Sequence, residues 1–121
     1  MTSAEQMPFT LTADEQADVE RRVAELHECG YATVDQHVDR DGTVLKPGRR
    51  IRHAGHRYVE AILRGTGYIV AVTEKPDSAW SRVYGMPDVE MVTVYDTDHF
   101  GGRLATVAQY HVAVVEAGEA R

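Results

Sequence analysis

The sequence predicts an α+β domain: one amphipathic helix followed by short, mainly antiparallel strands. Three observations carry that expectation. A capped helical stripe lies near the start, between Thr12 and Gly30. The longest apolar run, Gly65–Thr73, is rich in β-branched and aromatic residues. A second such run, Val89–Tyr95, follows a connection of twelve residues and is its natural partner.

In chain order, Met1–Thr10 is polar and reads as a lead-in without the basic and apolar blocks of a signal peptide. Thr12-Ala13-Asp14-Glu15 forms a capping box, in which the threonine hydroxyl and the glutamate carboxylate each satisfy an amide of the first turn. Val19, Val23 and Leu26 fall at i, i+4 and i+7 on one stripe, and Gly30 suits the residue after the last turn. The spacing therefore predicts a helix over 13–29, or 12–30 with its caps. Residues 31–46 read as a hairpin. Tyr31–Val38 runs out, Asp39-Arg40-Asp41-Gly42 turns, and Thr43–Leu45 returns. Pro47-Gly48 makes the next turn, followed by a short basic strand, Arg49–His53. Arg57–Arg64 suits either a helical turn or an extended arm. The connection Pro76–Pro87 predicts a short helix, capped by Asp77 or Ser78, carrying Trp80 and Tyr84 on one face and ending at Gly85. Asp96–Gly102 is a turn, Arg103–Thr106 a strand, Val107–Tyr110 a single 3₁₀ turn, His111–Val115 the last strand, and the tail is polar.

The segment 47–116 resembles an SH3-like small barrel. The matching features are the Pro47-Gly48 entry, a long irregular arm, Gly65-Thr66-Gly67 leading into a strand, an Asp-rich turn after its partner, and a one-turn helix before the final strand. The insertion at 76–88 departs from the smallest barrels. The length of 121 residues and an apolar content of 43 % suit one domain over 1–121, with the helix packed on the barrel, and the resemblance implies binding, since KOW- and Tudor-type barrels mostly bind RNA, DNA or peptides.

Charge is unevenly placed. The net charge of −6 argues against generic attraction to nucleic acid or membrane, yet residues 46–64 hold six bases and one acid. Arg49, Arg50, Arg52 and Arg57, with His53, His56 and Tyr58 interleaved, could clamp phosphates or carboxylates and offer a stacking platform. The same arginines could equally meet the acidic helix and the Asp-rich turn of their own chain. Trp80, Tyr84 and Met86 either cap an open end of the barrel or anchor a protein partner.

Chemistry beyond binding has little support. His53-Ala54-Gly55-His56 and Asp96-Thr97-Asp98-His99 carry metal-ligand residue types, but the spacing matches no established zinc motif and the neighbouring arginines oppose a cation. Neither Ser78 nor Ser81 sits in a nucleophile elbow, and Cys29 lies at a helix C-terminus, where the dipole disfavours a thiolate. Gly65-Thr66-Gly67 leads into a strand and is no phosphate loop. The expectation is a non-catalytic accessory protein without cofactor or metal. Its partner would be nucleic acid or an acidic protein surface, met through the basic segment. The alternative is a protein partner or a homo-oligomer met through the Trp80 loop. The lone cysteine points to a reducing cytoplasm, no run is long enough to span a membrane, and eleven arginines against two lysines hint at a GC-rich bacterial or phage genome.

Overall fold

The capped stripe forms its helix as the spacing requires. In the computed structural model, which describes residues 10–53, 65–96, 103–109 and 112–115, α1 spans Ala13–Glu28. The Thr12 hydroxyl accepts from the Glu15 amide at 3.1 Å, and Glu15 Oε1 accepts from the Thr12 amide at 3.0 Å. At the other end, Lys75 Nζ donates to the Cys29 carbonyl at 2.8 Å, which places a cation at the negative pole of the helix.

The strands are β1 (Ala32–Val34), β2 (His37–Val38), β3 (Val44–Leu45), β4 (Arg50–His53), β5 (Gly65–Lys75), β6 (Asp88–Tyr95), β7 (Leu104–Ala108) and β8 (Val112–Val114). A short helix, α2 (Ala79–Tyr84), lies between β5 and β6. The main sheet is antiparallel in the order β7-β6-β5-β4-β8, and β1 also pairs with β5. β5 and β6 pair along nearly their whole length, with a bulge between Ile69 and Ala71. The opposite edge of β5 is shared: β4 pairs with residues 65–68 and β1 with residues 72–74. Gly67 lets the backbones approach, because a Cβ there would lie 2.0 Å from the Val94 carbonyl oxygen.

Each face of this sheet has its own core. The inner face carries Ile51, Ile69, Val72, Val89, Met91, Tyr95, Ala105 and Val107, with Leu45 from the β2–β3 hairpin packed on top. On the outer face, Val19 and Leu26 of α1 pack against Val92, with Val23, Tyr31, Val70, Ala71 and Leu104 around them. Arg103 locks the helix to the sheet through two hydrogen bonds to Glu15, at 2.8 and 2.9 Å.

Three expectations are corrected. The outgoing strand 31–38 is two strands: β1 joins β5, and only β2 pairs with β3. The reason is parity. Val34 packs against the inner core and His37 is buried, yet residues three apart on a continuous strand would face opposite ways. The break at Asp35–Gln36 resolves the conflict. Val107 and Ala108 belong to β7, facing Met91 and Glu90; Gln109 is 3₁₀, and Tyr110 and His111 lie outside the described residues. The alternation of Ala105 and Val107 into the core outweighs the local turn tendency. Finally, no closed barrel is found among the described residues, since β7 and β8 remain the outer strands of an open sheet. The lead-in before Thr10, the segment 54–64, the turn residues 97–102 and the tail from Glu116 lie outside the described residues.

Candidate functional site

Where β1 ends and β4 begins, the edge of β5 is left uncovered at its bulge. A cleft of about 540 Å³ opens there, lined by Thr33, Val34 and Asp35, by Lys46–Arg49, and by Val70, Ala71 and Val72. The wall 46–49 is a tight turn. Pro47 holds the second position, Gly48 adopts a φ of 90° at the third, and the Arg49 amide donates to the Lys46 carbonyl at 3.1 Å. That is the type II pattern, in which the third position needs a residue tolerant of positive φ. Its effect is to bring the two cationic residues at its ends together. The turn is fastened to β5 by hydrogen bonds between Gly48 N and Ile69 O (2.8 Å) and between Ile69 N and Arg49 O (3.0 Å).

The electrostatics of this turn are unusual for the molecule. Four arginines are half-buried among the described residues: Arg22, Arg49, Arg50 and Arg103. Arg22 pairs with Asp18, Arg50 with Asp96 and Arg103 with Glu15. Arg49 instead donates to the Val44 carbonyl at 3.1 Å, and no carboxylate of the described residues lies within ion-pair distance of it. One N–H thus fixes the guanidinium while the others meet no partner among the described residues, with Lys46 at the other end of the turn.

The other residues singled out in the sequence disperse. Arg50 is held internally: it donates to the Tyr68 hydroxyl at 2.6 Å and to Thr66 at 3.3 Å, lies 3.5 Å from Asp96 and 5.1 Å from the Tyr68 ring centre. Arg52 stands exposed on the same face of β4, opposite Thr66. His53 closes β4. His56, Arg57, Tyr58 and His99 lie outside the described residues, and the His-x-x-His and Asp-x-Asp-His expectations with them. No group of three or more metal-ligand side chains occurs among the described residues. On α2, Trp80 and Tyr84 do share a face, with ring centres 4.7 Å apart. Trp80 and Met86 are half-buried, whereas Tyr84 is 50 % and Val83 76 % exposed.

With these sites in place, the chain can be set against known proteins. No protein-family model matches it, and no curated protein or solved structure is significantly similar.

Sequence reasoning missed a buried pair. His37 of β2 is only 4 % exposed, and its Nδ1 lies 2.6 Å from Glu74 Oε2 on β5, while Nε2 meets no partner among the described residues. The pair ties the hairpin to the sheet. Nothing in the spacing announces it, because His37 and Glu74 are far apart in the chain. Lys46 and the Pro-Gly turn were visible; what the sequence lacked was the neighbouring β5 bulge that turns them into one wall of a cleft. Elsewhere burial perturbs two acids. Glu90 is pushed up to about 7 by burial, with the Asp88 charge adding to it, and the Tyr31 hydroxyl is raised by burial and by its hydrogen bond to Asp88.

Proposed function

We propose that this is a non-catalytic binding protein that captures an anionic group of its partner at the Lys46–Arg49 turn. The carrying observation is the missing counter-charge of Arg49. A guanidinium withdrawn from water is ordinarily paired, and every other half-buried arginine among the described residues has its carboxylate. Placing Lys46 beside it adds repulsion that an incoming anion would relieve. Arg52, exposed on β4, is a secondary contact. Arg50 serves the fold through Asp96, which narrows the basic segment to its ends. In the same reading the curled sheet is an SH3-like barrel left open between β7 and β8, a plan that suits binding. The setting is cytoplasmic, where the exposed thiol of Cys29 stays reduced.

The test is equilibrium binding to three anionic probes: a single-stranded DNA oligonucleotide, a glutamate-rich peptide and N-acetyl-L-leucine. At least one should bind, more weakly as salt rises, and the double reversal Lys46→Glu/Arg49→Glu should abolish that binding with the melting temperature kept within a few degrees. If none binds, or if the double variant binds as well as the parent, the reading is wrong.

A second reading rests on α2. Val83 and Tyr84 expose apolar surface beside the stacked Trp80, which suits self-association or a protein partner, as in a small accessory protein of a bacterium or phage. Sedimentation of the parent and of Val83→Asp decides it. A monomer at every concentration removes the homo-oligomer.

A further inference from the structure

We infer that the cleft between β1 and β4 takes a single carboxylate carried on an apolar body with an N–H or ammonium group beside it. That chemistry is shared by an apolar amino acid and by the carboxyl end of a peptide. The inference rests on the anion reading above and narrows it to one class of ligand.

Three features of the lining select this class. Lys46 and Arg49 stand at the two ends of one tight turn, so their donors converge on one anionic group rather than spreading along a chain of them. Apolar residues line the cleft on both sides of the sheet edge: Val34 is half-buried against the inner core, and Val70 and Ala71 are half-buried against the helix-side core. Asp35 lines the same cleft and pairs with neither cation. Its carboxylate would repel a second negative charge, which disfavours a polyanion, and would accept from an N–H or ammonium donor. The volume of about 540 Å³ lies within the ordinary range for small-ligand sites and exceeds what a bare inorganic anion needs.

The experiment is an amide-shift titration of the full chain by NMR. The probes are L-leucine, N-acetyl-L-leucine, N-acetyl-L-leucine amide, inorganic phosphate and a single-stranded oligonucleotide. Saturable shifts at Gly48, Arg49 and Ala71 are expected with one or both carboxylates, and none with the amide-capped compound. Tighter binding of leucine assigns the site to free amino acids; tighter binding of the acetylated form assigns it to peptide ends. Lys46→Gln, an exposed change that leaves the fold alone, should weaken binding at least tenfold, and Arg49→Gln should do so more strongly. Phosphate or oligonucleotide binding through Lys46 and Arg49, with neither leucine compound binding, overturns the ligand class and leaves the anion reading standing. Equal binding of the amide-capped compound, or carboxylate binding that both variants retain, overturns the inference. Silence from every probe overturns the inference, and the anion reading falls with it when the glutamate-rich peptide is silent as well.

Discussion

Glu90 and Glu15 show how the same side chain acquires opposite behaviour from its surroundings. Burial raises the Glu90 carboxyl to about 7 from its usual 4.5, so the folded state holds a proton that the unfolded chain releases. Stability linked to Glu90 is complete below 4.5 and is lost as the pH rises through 7. Glu90→Gln should remove that decline and raise stability at pH 8 by about 1–3 kcal/mol, read from denaturant midpoints. Glu15 is the reverse case. The hydrogen bond from Arg103, helped by the Thr12 amide, holds it at about 2. Its contribution is present above 4.5 and disappears as the pH falls through 2. Arg103→Gln should therefore shift acid unfolding to higher pH, and an unmoved acid limb would show the pair to be incidental. Gly67 is a steric case: Gly67→Ala puts a methyl 2.0 Å from the Val94 oxygen, so β5 must move off β6, at about 3 kcal/mol or more.

At the scale of elements, α1 was the most legible part of the chain because its determinants are local. The capping box, the i, i+4, i+7 stripe and Gly30 all act within a few residues, and the helix ends one residue from where they place it. Its buried positions are Val19 and Leu26, with Val23 at the margin. Leu26→Ala should cost about 2–5 kcal/mol, whereas Glu20→Ala on the exposed face should stay within about 0.5 kcal/mol. Equal melting temperatures for the two would mean the face is wrongly assigned. α2 was legible for the same reason: Ser78 caps it, accepting from the Ser81 amide at 3.0 Å, and Gly85 ends it. The strands were legible as strands but not as pairings. Val34 joining Val72, and His37 reaching Glu74, are decided by partners some 40 residues away, which no short window contains.

For the molecule as a whole, the sheet separates two cores and the chain sorts its residues between them. The bulge at Val70 lets both Ile69 and Val72 face inward although they are three apart, while Val70 and Ala71 meet the helix side. Charge is sorted as well. The acidic helix pairs within itself through Arg21 and Arg22, which contact Asp18 and Glu25, and among the described residues it forms no ion pair with the basic segment. This is why composition did not decide which arginines pair internally: Arg50 meets Asp96, whereas Arg49 meets no carboxylate among the described residues. No helix among the described residues is long and apolar enough to cross a membrane.

The shared edge of β5 carries one more consequence. Sixteen residues separate Val34 from Arg50, but only four separate their partners Val72 and Tyr68, so twelve residues of the chain are surplus to the ladder. Twelve is even, whereas Val34 and Ile51 both face the inner core at an odd separation, a phase change that β5 accommodates at its bulge. Excising 37–48 would join Gln36 to Arg49 in register with β5, and β1 would run into β4 through a bulge at the joint that matches the one in β5, erasing the cleft. The spliced chain should retain strand-rich circular dichroism yet melt at a lower temperature, because Leu45 no longer covers the inner core. In that sense the hairpin is a cassette set into the ladder at the point where β5 changes phase.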